Sequence, residues 1–311
     1  MNEQRDGTRA TRPRVRLMMI ALAMACGRGD APAAAPASVT PPPHSQPAPD
    51  TAIPAGPMGG AVRRGRALLA ATHDSLPSHV GSSLRCFSCH LDEGHRESAL
   101  PLIGSYARYP QYRARRARVD LIEDRVNDCF VRSLNGRALA FDGDDMRDIV
   151  AYLAWMSRDV RAADSARSQD VPSLATLVAD TTRGARVFAE SCVRCHGATG
   201  QGTMVAPPLW GPKSFNIGAG MARYRTAALF IARNMPFDRP GSLTPQQALD
   251  VARYVDSRPR PDFRGKENDW PTGGRPPDVP YRTRASSPTG TTRARERAQR
   301  RAPSAQDGSH E

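Results

Sequence analysis

The sequence predicts an all-α protein with two small domains joined by a linker and with disordered tails at both ends. Three observations support this prediction. A Cys-x-x-Cys-His motif occurs twice, each copy lies between two segments whose apolar residues have helical spacing, and both ends of the chain are rich in Pro, Ala or Arg. Without those ends, a chain of 311 residues has room for about two domains.

The first 25 residues are predicted to be an export signal. Arginines precede an apolar run over residues 17–25, which is too short to span a bilayer but has the length of a signal-peptide core. Cys26 follows at once and resembles the cysteine of a bacterial lipobox, so the sequence leaves open whether Cys26 is lipidated or the signal is simply cleaved. Both alternatives predict a periplasmic protein, and lipidation would tether it to the membrane.

Composition sets the boundaries of the remaining segments. Residues 26–58 are rich in Pro and Ala and are predicted to be a flexible linker. The two domains are predicted at residues 59–165 and 178–260, and residues 261–311 are predicted to be an extended C-terminal segment with a disordered, Arg-rich tail.

The chain is strongly basic, with a net charge of +13 that comes almost entirely from arginine, since its only lysines are Lys213 and Lys266. A basic surface can attract nucleic acid, anionic lipid or small anions, and charge alone does not choose among them. We expect no nucleic-acid partner, because the site residues discussed below favour small anions.

Each Cys-x-x-Cys-His motif predicts covalent attachment of a c-type haem. Two thiols add to the porphyrin vinyl groups, and the adjacent histidine becomes the proximal iron ligand. A disulfide or a zinc site would use the cysteines but would leave the two following histidines unexplained. The motif residues are Cys86, Cys89 and His90 in the first domain and Cys192, Cys195 and His196 in the second.

Helical segments flank both motifs in the same order, which resembles the small all-α cytochrome c fold. Upstream lie "RRGRALLAATHDS" and "TRGARVFAES", and downstream lie "DGDDMRDIVAYLAWM" and "TPQQALDVARYVDS". Asp142 and Thr244 are the predicted N-caps of the two downstream helices. The predicted core positions are Ile149, Tyr152, Leu153 and Trp155 in the first and Ala248, Val251, Ala252 and Val255 in the second.

A haem with two axial ligands also needs a distal residue. The second domain offers Met204, Lys213, Met221 and Met235, since no histidine follows His196 before the C-terminal tail. Met235 is favoured because it lies 39 residues after His196 and precedes a proline.

The same offset selects a cysteine in the first domain. The residue 39 positions after His90 is Cys129, in the predicted helix "RVNDCFVRSLNG". His73, His79 and His95 are competitors, but exposed loop positions are expected for them. Cys129 is therefore predicted to be the distal ligand of the first haem.

Polar residues are predicted on the same helix face as Cys129. Arg125, Arg132 and Ser133 lie at i−4, i+3 and i+4 from it. An arginine run is usually a solvated face, but guanidinium groups also bind oxyanions through paired N–H donors, and metal-stabilised thiolate is the nucleophilic form of cysteine. The pattern favours a sulfur oxyanion as the ligand of a reactive cysteine.

These residues belong to a sequence that closely resembles the thiosulfate dehydrogenases, dihaem cytochromes that interconvert thiosulfate and tetrathionate. The resemblance covers about residues 60–281. It is carried by "YPQYRARRARVDLIEDRVNDCFVRSLNG", "DDMRDIVAYLAWM", "GPKSFNIGAGM", "NMPF", "ALDVARYVDSRPRPDF" and "DWPTGGRPPDVPY". The chain departs from the family pattern at Ala117, where glycine is usual, and at Asn234, where some members carry lysine.

The resemblance implies ligands and substrate residues. The first haem would be the active site, with His90 and Cys129 on its iron, and the second would transfer electrons, with plain ligation by His196 and Met235. The residues that match the family's polar motif are Arg115, Arg125, Arg132 and Ser133.

The implied reaction joins two thiosulfate ions into tetrathionate and releases two electrons. Cys129 would form a thiosulfonate adduct with the first thiosulfate, and the second would displace it. The electrons would pass to a small cytochrome c or an iron–sulfur protein. Two alternatives stay open: a dihaem electron carrier without substrate chemistry, and a cysteine S-thiosulfotransferase like the haem subunit of the sulfur-oxidising complex.

Overall fold

A computed structural model of the chain describes residues 53–159 and 174–286. They form two helical domains, as predicted, with one short hairpin in which β1 (Gln111–Arg113) pairs antiparallel with β2 (Arg118–Asp120). The first domain contains α1 (Gly56–Ala70), α2 (Thr72–Ser75), α3 (Ile122–Arg132) and α4 (Asp144–Met156). The second contains α5 (Thr181–Ser191), α6 (Val193–His196), α7 (Tyr224–Asn234) and α8 (Pro245–Asp256).

The predictions for the two ends of the chain fall mostly outside these residues. The signal peptide, Cys26, most of the 26–58 linker and the tail beyond residue 286 are not among them. At the described end of the linker, α1 begins at Gly56, three residues before the predicted boundary at residue 59, and Ile53 is already buried in the core of the first domain. Among the described residues, none of the helices is long and apolar enough to cross a membrane.

Each domain is built on a crossed pair of helices, α1 with α4 and α5 with α8. A glycine lies at each crossing. A Cβ atom on Gly65 would lie 2.0 Å from the carbonyl oxygen of Asp148, and one on Gly184 would lie 2.1 Å from that of Asp250. These distances are far inside van der Waals contact, so the helices approach this closely only because both positions are glycine.

The arginine that precedes each glycine forms an ion pair across the same crossing. Arg64 donates to both carboxylate oxygens of Asp148 at 2.7 and 2.9 Å. Arg183 donates to those of Asp250 at 2.6 and 3.0 Å. The Arg-Gly pair that the sequence repeats therefore has the same structural role in both domains.

The two downstream helices begin differently from each other. Thr244 caps α8 as predicted: its side chain accepts from the N–H of Gln247, and the Gln247 side chain accepts from the N–H of Thr244. In α4 the prediction that Asp142 is the N-cap is wrong. Gly143 is the N-cap without a side-chain hydrogen bond, and acidic residues in the first turn face the positive end of the helix instead. All eight predicted core residues of these helices are buried.

The second domain also contributes to the core of the first. Phe215 and Ala219, from the segment between the second motif and α7, belong to the first domain's hydrophobic cluster. Between them, Asn216 donates its side-chain amide to the carbonyl oxygen of Val131 at 2.8 Å and its N–H to that of Arg132 at 3.2 Å. The last carbonyl groups of α3, which an isolated helix leaves without partners, are thus satisfied by the other domain.

Candidate active site and haem sites

Both motif histidines have the hydrogen bond that orients an iron-binding imidazole. His90 Nδ1 contacts the carbonyl oxygen of Leu100, and His196 Nδ1 contacts that of Pro207 at 2.8 Å. Nε2 of each ring is then the atom left to face a metal. Burial lowers the pKa of both imidazoles, that of His90 to about 4, which keeps the rings in the neutral form that binds iron.

Among the described residues, none of the four motif cysteines forms a disulfide. Burial raises the pKa of Cys86 and Cys89 to about 12 and that of Cys192 to about 11. Aromatic side chains pack beside each motif, with ring centroids 5.8 Å apart for Tyr152 and Trp155 and 5.0 Å apart for Phe188 and Trp210. Paired thiols, a neutral imidazole and an apolar aromatic wall fit a covalently bound haem in each domain.

Cys129 lies in the last turns of α3 and faces the first motif. Its charge contributes to the raised pKa of Cys86 and Cys89. Arg125 donates from Nη1 to the Cys129 sulfur at 3.0 Å, and the charge of Arg125 contributes to the lowered pKa of His90. The structure therefore brings together three of the predicted site residues, namely the cysteine, one arginine and the proximal histidine.

Arg132 is on the same helix but has a different environment from the one predicted. Its side chain is 7% exposed, and it donates from Nε to Asp128 at 2.6 Å and from both Nη atoms to Asp269 at 2.8 Å. Burial by itself would lower the pKa of Arg132, but the hydrogen bonds and charges of the two carboxylates raise it. Two carboxylates therefore already compensate its charge in this structure, and a role of Arg132 toward an anion stays a prediction.

Arg115 joins the same cluster from the turn of the hairpin. Its Nη2 donates to the Tyr281 hydroxyl at 3.2 Å, and its Nε lies 3.3 Å from Asp269 at ion-pair distance. Its guanidinium also stacks on the ring of Trp270, 4.6 Å from the centroid. Asp269 and Tyr281 could not be paired with Arg115 from the sequence, because more than 150 residues separate Arg115 from each of them.

Ser133 is the C-cap residue of α3, and its N–H donates to the carbonyl oxygen of Cys129. Its side chain is half-buried, and no hydrogen bond of its hydroxyl occurs among residues 53–159 and 174–286. The structure therefore places Ser133 one turn from Cys129, as the helical spacing predicts, without giving its hydroxyl a partner.

Three residues that the sequence reasoning did not select lie around Arg125. Burial lowers the pKa of Arg108, and the charges of Arg125 and Arg113 lower it further. Burial raises the pKa of Tyr109, whose hydroxyl also feels Arg125, Arg113 and Cys129. These cationic groups repel one another, which favours binding of an anion among them. The dense arginine run that begins at Arg113 is the signal that could have found Arg113, whereas Arg108 and Tyr109 precede that run.

The candidates for the second distal ligand differ in exposure. Met204 is fully exposed, Lys213 is exposed, and Met221 packs against the cores of both domains. Met235 is half-buried and directly follows α7, where its N–H donates to the carbonyl oxygen of Ile231 at 2.9 Å.

Asn234, the residue before Met235, is completely buried between the two domains. Its side-chain oxygen accepts from the Ser98 hydroxyl at 2.9 Å, and its amide donates to the carbonyl oxygens of Ser98 and Phe230, each at 2.9 Å. All hydrogen-bonding groups of this side chain point to protein partners, which leaves Met235 as the side chain available at the end of α7.

Exposed loop positions were expected for the competing histidines of the first domain. The structure shows that not all three occupy such positions. His95 is only 7% exposed, and its Nδ1 contacts the carbonyl oxygen of Asp92 at 3.0 Å. His79 is half-buried, with Nδ1 3.1 Å from the carbonyl oxygen of Ala138. His73 is half-buried in α2.

Both haem domains match known protein families. Residues 79–162 match the family described as "SoxA/TsdA, cytochrome c domain", and residues 179–255 match "Cytochrome C oxidase, cbb3-type, subunit III". The thiosulfate dehydrogenase of Psychrobacter arcticus is 44% identical over 237 residues, which cover 74% of this chain and 72% of the relative. That of Allochromatium vinosum is 42% identical, with coverage of 70% and 84%.

The chain belongs to the thiosulfate dehydrogenase family. A solved structure from the family, "Thiosulfate dehydrogenase (TsdBA) from Marichromatium purpuratum" in its "as isolated" form, is 37% identical with a TM-score of 0.65. The match covers 73% of this chain and half of that chain. Membership confirms the predicted fold of two cytochrome c domains, the two covalently bound c-type haems and the class of haem-dependent oxidoreductase.

One residue in the turn of the hairpin has a backbone conformation that disfavours its side chain. Ala117 has φ +51°. Only glycine adopts this left-handed region without strain. The turn therefore keeps the backbone shape that suits glycine while carrying a residue that disfavours it.

Proposed function

We propose that this member of the family interconverts thiosulfate and tetrathionate in the periplasm, with Cys129 as the nucleophile. The observation that carries the proposal is the 3.0 Å contact between Arg125 Nη1 and the Cys129 sulfur. A cationic donor at this distance stabilises a thiolate, the nucleophilic form of cysteine. Cys129 is half-buried and Arg125 is 38% exposed, so a small anion has access to both.

The first step forms a sulfur–sulfur bond between the Cys129 thiolate and the outer sulfur of thiosulfate. The two partners carry three negative charges together, and the thiosulfonate adduct carries one, so two electrons leave. When bound, two haems would supply the one-electron acceptors for this step, and the electrons would leave to an external partner. His90 and Cys129 would hold the first iron, and His196 and Met235 the second.

In the second step, the outer sulfur of another thiosulfate attacks the sulfur that Cys129 carries. The bond between Cys129 and the adduct breaks, tetrathionate leaves, and the Cys129 thiolate is restored. Reversal of both steps consumes two electrons and reduces tetrathionate. Atoms and charge balance in either direction, and Cys129 is unchanged after each cycle.

Cationic side chains near Cys129 counter the repulsion between the reacting dianions. Arg125 contacts the sulfur directly, and Arg108 and Arg113 act electrostatically on Arg125 or Tyr109. Preorganised charges of this kind lower the energy of the state in which the negative groups meet. Arg115 and Arg132 are assigned to the supporting structure, because Asp269 and Asp128 already pair with them.

The electrons require an acceptor outside this chain. We propose a small cytochrome c or an iron–sulfur protein in the periplasm, reached through the second haem. If Cys26 is lipidated, the protein would meet that partner while tethered to a membrane. Detection of a diacylglycerol group on the N-terminal peptide of the mature protein tests the tether.

Turnover with purified components tests the reaction. The haem-loaded protein is mixed with thiosulfate and an artificial one-electron acceptor, with no carrier protein present, and tetrathionate is measured. The proposal predicts one tetrathionate for every two electrons accepted. A plain electron carrier would form no tetrathionate, and a cysteine S-thiosulfotransferase would require a carrier protein before it consumed thiosulfate.

A further inference from the structure

We propose that Asp269, in the segment that follows the second haem domain, is a positioning residue for the active site around Cys129. Asp269 forms ion pairs with Arg132 on α3 and with Arg115 in the hairpin turn, and so fixes the hairpin turn relative to the helix that carries Cys129. The inference rests on the function proposed above. Asp269 lies outside both matched cytochrome domains, which end at residues 162 and 255.

The contacts of Asp269 are buried and use both carboxylate oxygens. The residue is 4% exposed and accepts from Arg132 at 2.8 Å on each oxygen. It also accepts from the Tyr281 hydroxyl at 2.5 Å, and Arg115 Nε lies 3.3 Å away. A bidentate carboxylate–guanidinium pair fixes orientation as well as distance, so Asp269 holds Arg132 in a single geometry.

Opposite charges alternate from Asp269 to Cys129. Arg132 bonds to Asp269 on one side and to Asp128 at 2.6 Å on the other. Asp128 lies 3.9 Å from Arg125, and Arg125 bonds to the Cys129 sulfur at 3.0 Å. Each charged side chain orients the next one. A change at Asp269 therefore affects Arg125, which donates to the Cys129 sulfur, through the two intermediate side chains Arg132 and Asp128.

The backbone around Asp269 is itself anchored. The N–H of Trp270 donates to the carbonyl oxygen of Arg115 at 2.8 Å. Trp270, Val279 and Tyr281 form a separate hydrophobic cluster against Ile217. Trp270 has φ +50°, a conformation that a bulky residue adopts only when its surroundings impose it. The C-terminal segment is therefore a rigid support for the carboxylate rather than a loose extension.

Loss of the Asp269 charge should act on the first haem site and not on the second. Asn is nearly the same size as Asp, but it would leave two buried guanidinium groups without their shared carboxylate. The last turn of α3 and the hairpin would lose their common anchor, and Cys129 would no longer hold one position. Arg115 and Arg132 would also become competing sites for anions away from the cysteine.

The test compares Asp269→Asn with Asp256→Asn in the haem-loaded protein. Asp256 is a matched control, because it pairs with Arg260 at 3.1 Å with both side chains 3% exposed, in α8 of the second domain. Electron paramagnetic resonance of both haems and kcat and KM for thiosulfate are measured. For Asp269→Asn we expect a heterogeneous signal from the first haem, an unchanged signal from the second, and a kcat at least tenfold lower. Asp269→Glu should restore part of both, and the control should keep the wild-type signal of the first haem.

Tyr281→Phe is the second variant, in case Asp269→Asn does not fold. It removes one hydrogen bond to Asp269 and leaves every charge in place. We expect the same change in the signal of the first haem at smaller amplitude. A wild-type signal and wild-type kcat in Asp269→Asn, or in Tyr281→Phe if only that variant folds, would overturn the proposal. If the wild type does not oxidise thiosulfate, the proposed function fails, while the signal of the first haem still decides whether Asp269 positions Cys129.

Discussion

Arg125 is the residue of α3 whose charge acts most directly on Cys129. Its donor lies 3.0 Å from the sulfur, whereas the equally basic Arg132 is committed to two carboxylates. Helical spacing alone makes the two arginines equivalent, since both lie within one turn of Cys129. Their roles differ because Asp269, 137 residues beyond Arg132, pairs with only one of them.

Replacement of Arg125 by alanine should therefore reduce the use of thiosulfate. A hydrogen bond to a charged group contributes about 1.5 to 3 kcal/mol, so kcat/KM should fall about 10- to 150-fold. Steady-state kinetics with an artificial acceptor measures the effect. Arg147→Ala is the control, because Arg147 is 67% exposed and pairs only at the surface with Asp144. An Arg125→Ala enzyme as active as this control would remove Arg125 from the site.

Ala117 offers a prediction about stability. A non-glycine residue in the left-handed region destabilises the folded state by about 1 to 2 kcal/mol. Replacement by glycine removes this strain, but the greater conformational freedom of glycine in the unfolded chain offsets part of the stabilisation. Ala117→Gly should raise the free energy of unfolding by up to about 1 kcal/mol in a urea titration. Ala198→Gly, at an exposed alanine that is not among the positive-φ residues, should lower it. A loss of stability in Ala117→Gly would show that the turn does not bear this strain.

The haem-attachment motifs and the caps show what single residues reveal in a sequence. A Cys-x-x-Cys-His motif is local, so the proposed attachment residues could be selected without any knowledge of the fold. Thr244 could be selected as a cap because Pro245 and Gln247 follow it. Asp142 failed because the helix begins after Gly143, with Asp144 and Asp145 in its first turn.

At the scale of elements, the crossed helices are the unit that both domains repeat. The sequence showed the repeat through apolar spacing and Arg-Gly pairs, so the helices could be predicted. Only the structure shows that α1 contacts α4, and α5 contacts α8, through a glycine with an ion pair beside it. The hairpin was not predicted, because its strands have three residues each and no clear alternation.

The helix crossing can be tested with two glycines of α1. A methyl group on Gly65 would collide with the backbone of Asp148, and overpacking of this kind costs about 1 to 3 kcal/mol. Gly60→Ala is the matched control, since its methyl group would meet only the flexible end of Arg64 at 3.3 Å. The free energy of unfolding of Gly60→Ala should rise by up to about 1 kcal/mol, because alanine has the higher helix propensity. Equal stability of the two variants in thermal unfolding would contradict the close approach.

At the scale of the whole molecule, the two domains share one structure around the active site. Asn216 of the second domain caps α3, and Asp269 of the C-terminal segment fixes Arg132. Each of these contacts joins residues more than 80 positions apart, so periodicity and motif spacing could not predict them. Domain docking is therefore the part of the site that the sequence did not reveal.

The proposed distal ligand of the second haem lies at this domain boundary. Met235→Leu should abolish the absorption band of methionine-ligated ferric haem and lower the potential of that haem, because thioether ligation raises it. Visible spectroscopy and a redox titration measure both effects. Met204→Leu is the control, since Met204 is fully exposed and should leave both unchanged. A band that persists in Met235→Leu would move the ligand to another side chain.

The central claim is that Cys129 carries the reacting sulfur, and the mass of the peptide that contains it tests this most directly. The haem-loaded protein is incubated with tetrathionate, digested without reducing agent and analysed by mass spectrometry, with Cys129→Met as the variant that retains a sulfur atom but cannot form the adduct. We predict that the wild-type peptide gains the mass of one thiosulfonate group and that the variant gains nothing and does not turn over. An unmodified wild-type peptide together with an active Cys129→Met enzyme would contradict the account.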